Sequence, residues 1–259
     1  MSLSFDLYAP RESRLHHLDP RVKLWAALLG IVLCVGMQNI PALLLVLAAI
    51  NAALLASRVP VDRVRWVWAR MFPITVLILL LQPWFAPSGA EWVALGPLRL
   101  TAGGLLSAAT FAVRANALAF AAATPLLTTP PDALVRGLVR LGMPYTWGLT
   151  VSLTLRYLPT SYALFTTIRQ AQEARGYTVG RGRLLERARS FVPVLVATII
   201  ASLRLSDQLS MAMTVRGLGR GPRTSLYDIH MTQADWLAAA GVTASFLALM
   251  ALRLSGTLA

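Results

Sequence analysis

Charge is scarce in this chain of 259 residues. Only 14% of them are charged and 56% are hydrophobic, whereas ordinary soluble domains carry roughly a quarter charged residues. That leaves too little charge to coat a soluble globule. Acids are rarer still, with 11 Asp and Glu against 24 Lys and Arg, and Lys23 is the only lysine. So few acids offer no pair for general acid/base work. Cys34 stands alone inside an apolar run, which excludes a disulfide framework and a thiolate metal site. His16, His17 and His230 are the only histidines, too scattered to build a metal centre. The sequence has no Gly-x-x-x-x-Gly-Lys-(Ser/Thr) phosphate loop and no His-Glu-x-x-His word, so it is not expected to hydrolyse ATP or to work as a zinc hydrolase. Gly103-Gly104 and Gly180-x-Gly182 are better explained as a helix start and a loop than as dinucleotide fingerprints. No catalytic residue, cofactor or metal is assigned.

What the chain does have is long apolar runs. Leu24 to Ser57 holds no charged side chain, and neither does Met71 to Ala90. One helix over 24–57 would be about 51 Å long, against a hydrocarbon core of roughly 30 Å. Gln38-Asn39-Ile40-Pro41 lies in the middle of that run, and Pro favours a break there. The pattern predicts a tight hairpin of two short spans, 24–37 and 41–57. Further spans are expected over 71–85, over 100–127 (interrupted by Arg114 and Asn116) and over 236–252.

The net charge of +13 would suggest nucleic acid in a soluble chain. Here it suits loops beside a membrane, with no nucleic-acid partner. Residues 1–23 carry Arg11, Arg14, Arg21 and Lys23, and 58–70 carries Arg58, Arg63, Arg65 and Arg70. The 38–40 turn between them is uncharged, and 86–99 holds only Glu91 and Arg99. Positive residues stay inside, which puts the N-terminus, the 58–70 loop and 128–233 in the cytoplasm of a multi-pass membrane protein.

Segment 128–233 is different in kind. It holds 13 of the 24 basic residues, yet it also has apolar stretches that run into polar helical tails. Two long helices are expected, about 145–175 and 190–216, after a short one at 131–141. The short helix has Pro130 and Pro131 at its first turn and Gly142 beyond its end, as start and stop preferences require. Apolar stems with basic tips suit the membrane–cytoplasm boundary.

Both long helices close on similar words. The first is Ala171-Gln172-Glu173-Ala174-Arg175-Gly176-Tyr177 and the second is Ala212-Met213-Thr214-Val215-Arg216-Gly217-Leu218, with the arginines 41 residues apart. Gly after the last helical residue permits a left-handed C-cap, and Arg complements the negative end of the helix dipole. Helix-stop chemistry would account for one such tip. Two matching tips point to a partner with two sockets, in which each guanidinium fork meets carboxylates or carbonyls.

With these words in place, the sequence resembles the transmembrane T components of energy-coupling factor (ECF) transporters, the CbiQ/EcfT-type family. Three stretches carry the likeness: Ser13 to Leu24 with its His17-Leu18-Asp19-Pro20-Arg21-Val22-Lys23, Leu127 to Pro144, and the paired Arg-Gly tips. The resemblance implies an all-α integral membrane protein of about five transmembrane helices, plus a cytoplasmic coupling module of two long crossed helices and one short helix. The expected domains are 1–127, 128–233 and a last helix in 234–259. It also implies a non-catalytic subunit of an ABC uptake transporter for a vitamin or a transition metal such as cobalt or nickel. Two ABC-type ATPases, identical or paired, would dock on Ala174, Arg175 and Gly176 and on Val215, Arg216 and Gly217. A membrane S component would capture the substrate. The second tip departs from the pattern, with Val215 in place of Ala and Thr214 where the first tip has Glu173.

Small residues on 145–165 and 191–205, namely Gly148, Ser152, Ala163, Ala197, Ala201 and Ser202, would let an S component pack closely. Arg114 and Asn116 are the intramembrane polar residues, expected to bond inside the bundle. A stand-alone secondary transporter or channel is the alternative, and only these two residues could line its pathway. Arg156 is expected to pair with Asp207 or Glu173. Asp19-Pro20 reads as an N-cap with Pro at N1, with Arg21 and Lys23 anchoring to lipid headgroups.

Overall fold

A computed structural model of the chain describes residues 18–85, 91–95, 98–177, 180, 183–219 and 231–255. The elements are α1 (Pro20–Gly36), α2 (Ile40–Ala56), α3 (Val61–Phe85), β1 (Glu91–Leu95), β2 (Leu98–Thr101), α4 (Ala102–Thr128), α5 (Pro131–Arg140), α6 (Tyr145–Ala174), α7 (Leu184–Val215) and α8 (Gln233–Leu254). Apart from the antiparallel β1–β2 hairpin, which occupies part of the expected 86–99 loop, the described elements are helices.

The expected hairpin break is present. Met37 is extended, and α2 starts with Pro41 in its first turn, where proline's missing N–H is no loss. α1 and α2 have 17 residues each, about 25 Å at 1.5 Å per residue, short of a full hydrocarbon core. Among the described residues, the helices long and apolar enough to cross a membrane are Val61–Trp84, Ala102–Thr128, Leu185–Val215 and Gln233–Arg253. The set therefore differs from the expected five. α7, placed by sequence at the membrane boundary, has the length and the apolar stretch of a span.

α3 starts ten residues before the expected Met71, so most of the expected 58–70 loop is helix. Its first turn caps back onto the Pro60 carbonyl through Arg63 N–H at 2.9 Å. Val64 and Val67 are buried, while Arg65, Trp66 and Arg70 are exposed, so the arginines line the outer face of an amphipathic turn. Arg70 lies over the Trp66 ring, 5.1 Å from its centroid. Pro73 stays inside the helix, as apolar membrane helices allow.

The chain divides into two compact units, 1–144 with 229–259, and 145–228. In the first, α4 packs on α1, α2 and α3. It does so through buried small residues, Ala108, Ala112, Ala117 and Ala121, with Phe120 fully buried. Small side chains let membrane helices approach closely. A Cβ built on Gly30 of α1 would sit 3.6 Å from that of Ala121. Leu33, Leu43, Leu47, Leu54 and Val67 complete this core. The short helix α5, grouped by sequence with 128–233, packs on α1 within this unit. In the second unit, α6 packs on α7.

Candidate functional site

The two tips share one backbone geometry. In the first, Arg175 N–H donates to Ala171 O at 3.3 Å, Gly176 N–H to Glu173 O at 3.0 Å and Tyr177 N–H to Gln172 O at 3.0 Å. In the second, Arg216 donates to Ala212 O at 3.2 Å, Gly217 to Thr214 O at 3.0 Å and Leu218 to Met213 O at 3.0 Å. Each is a Schellman ending, with Gly176 at φ +85° and Gly217 at φ +78°. A Cβ on either glycine would meet nothing within 4 Å, so backbone sign, not crowding, requires glycine there.

The same ending closes α5, where Gly142 (φ +117°) and Met143 donate to Val139 and Leu138. Glycine is thus explained by capping at all three ends, whereas no arginine side chain takes part in these capping hydrogen bonds. Arg175 and Arg216 are exposed and contribute only their backbone N–H groups to the caps, which leaves both guanidinium forks directed outward.

Beyond the backbone the tips differ. Glu173 lies 3.4 Å from Arg169 one turn earlier, with both side chains nearly half exposed. The second tip has no acid, and Met211 and Val215 are 69% and 82% exposed there. With Gln208, Ala212 and Arg216 they line a shallow open groove. The pairing expected between Arg156 and Glu173 is replaced by this local i, i+4 bond, which needs no second helix to form.

The small residues on α6 and α7 have mixed surroundings. Gly148 is buried, Ser152, Ala197 and Ala201 are half-buried, and Ala163 and Ser202 are exposed. Thr150, Thr154, Thr167 and Thr198 turn their hydroxyls onto carbonyls of their own helices, so polar letters present methyl groups outward. Val192, Leu195, Val196, Ile199 and Leu203 form an exposed apolar face on α7.

Arg114 and Asn116 both join helices. Arg114 Nη2 donates to Met37 O at 2.6 Å, at the end of α1, and its guanidinium lies over Phe111. Asn116, 3% exposed, donates to Thr75 Oγ1 of α3 at 2.9 Å and to Ala112 O at 2.8 Å.

A polar cluster that sequence reasoning missed lies at the other end of the first unit. Lys23 was expected to reach for lipid headgroups; it is 5% exposed. Its Nζ donates to Thr128 O at 3.1 Å and to Thr129 Oγ1 at 3.0 Å. Asp19 caps α1 by accepting Arg21 N–H at 2.9 Å, and donates its own N–H to Asp235 Oδ1 at 2.8 Å. Asp235 Oδ2 accepts Thr232 N–H and Oγ1–H at 2.8 and 2.7 Å. Lys23 stands just ahead of the apolar run that begins at Leu24. Burial pulls its ammonium down to about 8, while Asp19 and Asp235 pull the other way. One signal was available: the sole lysine among so many arginines sits where a compact three-donor cation fits better than a planar fork.

Among the described residues no group of three His, Cys, Asp or Glu could hold a metal ion. His16, His17 and His230 lie outside them, as do Arg181, Arg220 and Arg223 of the tip tails.

The cobalt transport protein family (CbiQ) matches residues 11–226. Among curated relatives, the energy-coupling factor transporter transmembrane protein EcfT of Streptococcus equi is 32% identical over 237 residues, covering 86% of each chain. That of Heliobacterium modesticaldum is 30% identical over 251 residues, covering 93% of each. That of Bacillus selenitireducens is 31% identical over 265 residues, covering 98% of each. The match takes in α1 through α7 and both tips, and with four helices long and apolar enough to cross a bilayer among the described residues it makes this a multi-pass membrane protein. The chain belongs to the CbiQ/EcfT family of transmembrane components of energy-coupling factor transporters.

Proposed function

We propose that this chain is the non-catalytic coupling subunit of an ECF-type ABC uptake transporter, docking one ATPase at Ala174-Arg175-Gly176 and a second at Val215-Arg216-Gly217. The observation that carries the reading is the pair of Schellman endings, each closed by the same glycine hydrogen bonds and each bearing an exposed arginine whose side chain its cap does not use. A guanidinium at a helix C-terminus gives up little of its donor capacity to the dipole and keeps its fork for carboxylates or carbonyls of a partner.

The apolar α6–α7 faces with their small residues receive the membrane S component, which selects the vitamin or the cobalt or nickel ion. The N-terminus and 128–233 lie in the cytoplasm, on the positive side, and ATP hydrolysis belongs to the partners. Helices 1–127 and 234–259 supply the membrane frame. The competing secondary transporter needs a polar pathway at the midplane, whereas Arg114 and Asn116 are engaged in tying α4 to α1 and α3.

Co-purification of the chain with co-expressed candidate ATPases tests the proposal. Arg175→Glu with Arg216→Glu is expected to reduce bound ATPase by more than about tenfold, as reversal of a buried interfacial charge does. Each single change is expected to cost one docking point. Undiminished binding by the double variant would reduce the tips to helix caps. For the S component, Ala197→Trp or Ala201→Trp is expected to block its co-purification.

A further inference from the structure

The buried cluster around Lys23 joins elements that are far apart in sequence. Asp19 is the N-cap of α1, Asp235 lies in the first turn of α8, and Lys23 Nζ sits at the C-terminus of α4. Carboxylates at helix N-termini and an ammonium at a C-terminus are the stabilising arrangement for the dipoles. All three side chains are 5% exposed or less, as are Thr128 and Thr129. Thr128 and Thr129 form the step from α4 into α5, so the lysine grips the root of the short helix. A second contact holds its middle: a Cβ on Gly137 would come within 3.1 Å of Pro20 Cβ and 3.6 Å of Arg21 N. Backbone of α5 thus lies directly against the first turn of α1.

We infer that Lys23 is a positioning residue that locks α5 to α1 and α8, so that the three move as one body when α5 is displaced. The lock consists of Lys23 with Thr128 and Thr129, the Asp19 N–H with Asp235, and the glycine contact of Gly137 on Pro20. A buried cluster of this kind resists shear, because any slip takes the Lys23 ammonium from its two oxygen acceptors and the Asp19 N–H from Asp235. A push on α5 therefore reaches the starts of two membrane helices without loss in a flexible joint. The inference rests on the docking proposal only for the ATP arm of its test.

The test is a spin-label distance measurement on the full chain in lipid nanodiscs, on a Cys34→Ala background. Nitroxides are placed at exposed positions of α5, α1 and α8, using Arg136→Cys with Leu28→Cys and Arg136→Cys with Leu237→Cys. For the chain alone, one narrow distance population is expected for each pair, and Lys23→Met should broaden or split it. With ATPases bound, adding ATP and vanadate should leave the wild-type distances unshifted, while the Lys23→Met distances shift. A Lys23→Met chain with wild-type distances, or a wild-type chain whose distances shift with ATP, overturns the inference. If Lys23→Met does not fold, Thr129→Val, which removes one acceptor of the Lys23 ammonium, is measured in its place with the same expected and overturning results. If no ATPase binds the wild type, the docking proposal has failed, and the chain-alone distances still judge the lock. A merely structural lysine would lower the yield of folded protein and leave these distances unchanged in the fraction that folds.

Discussion

The cluster at Lys23 and the two helix ends at Arg175 and Arg216 use cations at helix C-termini in opposite ways. Lys23 is sealed, with a carbonyl and a hydroxyl on its ammonium and two carboxylates nearby. Arg175 and Arg216 are open to solvent, and their caps close through backbone atoms alone. A buried cation is fixed by what surrounds it, and its removal strands partners inside the protein. An exposed cation leaves nothing stranded. The first kind of residue sets where helices sit, and the second is free to meet another molecule.

That contrast is broken or sharpened most directly by matched truncations. Lys23→Met leaves Asp19 and Asp235 buried without their cation, and losing one partner of such a cluster costs about 3–5 kcal/mol. Arg175→Met removes an exposed charge, and a change of that sort stays within about 0.5 kcal/mol. Thermal unfolding in detergent micelles should separate the two variants widely. Equal midpoints would mean that the Lys23 cluster is not dry, and the division between sealed and displayed cations would fall.

Glycines give the next test. Gly137 is required by space, since its Cβ would come within 3.1 Å of Pro20 Cβ. Gly137→Val adds branched volume at that contact, and overpacking of this kind costs about 1–3 kcal/mol. The short helix would be pushed away from α1, so the loss should appear in the unfolding midpoint. An unchanged midpoint would mean that α5 does not rest on α1.

How much of this was legible in the sequence follows from the range of each interaction. The tips were legible because Arg-Gly capping is decided within six residues, all of them adjacent. The 37–39 break was legible for the same reason, through Pro41. The start of α3 was not, since Arg63, Arg65 and Arg70 look like a loop until Val64 and Val67 are seen buried at helical spacing. Lys23 was misread as a lipid anchor because its partners Thr128 and Thr129 are more than a hundred residues away, and no local pattern marks them. Asp235 carried half a signal, as the third residue after Thr232 in a capping box, but its link to Asp19 spans 216 positions.

The smallest effects compare two left-handed residues. Gly217 takes φ +78° in open space, while Arg58, just past the end of α2, takes φ +54°. Arg58 N–H donates to Leu55 O and Val59 N–H to Leu54 O at 2.9 and 3.2 Å, so α2 also closes with a Schellman ending, and here a residue with a Cβ occupies the left-handed position. That conformation costs an L-residue roughly 1–2 kcal/mol. Gly217→Ala should therefore lower stability by about 1 kcal/mol with no clash involved, and Arg58→Gly should raise it by up to about the same amount. The opposite signs matter more than the sizes, because they separate backbone preference from side-chain function. If Gly217→Ala keeps Arg216 at the same place and ATPase binding falls no further than the stability does, glycine serves the cap and arginine the partner. If binding falls much further, the left-handed turn itself is part of what the partner grips.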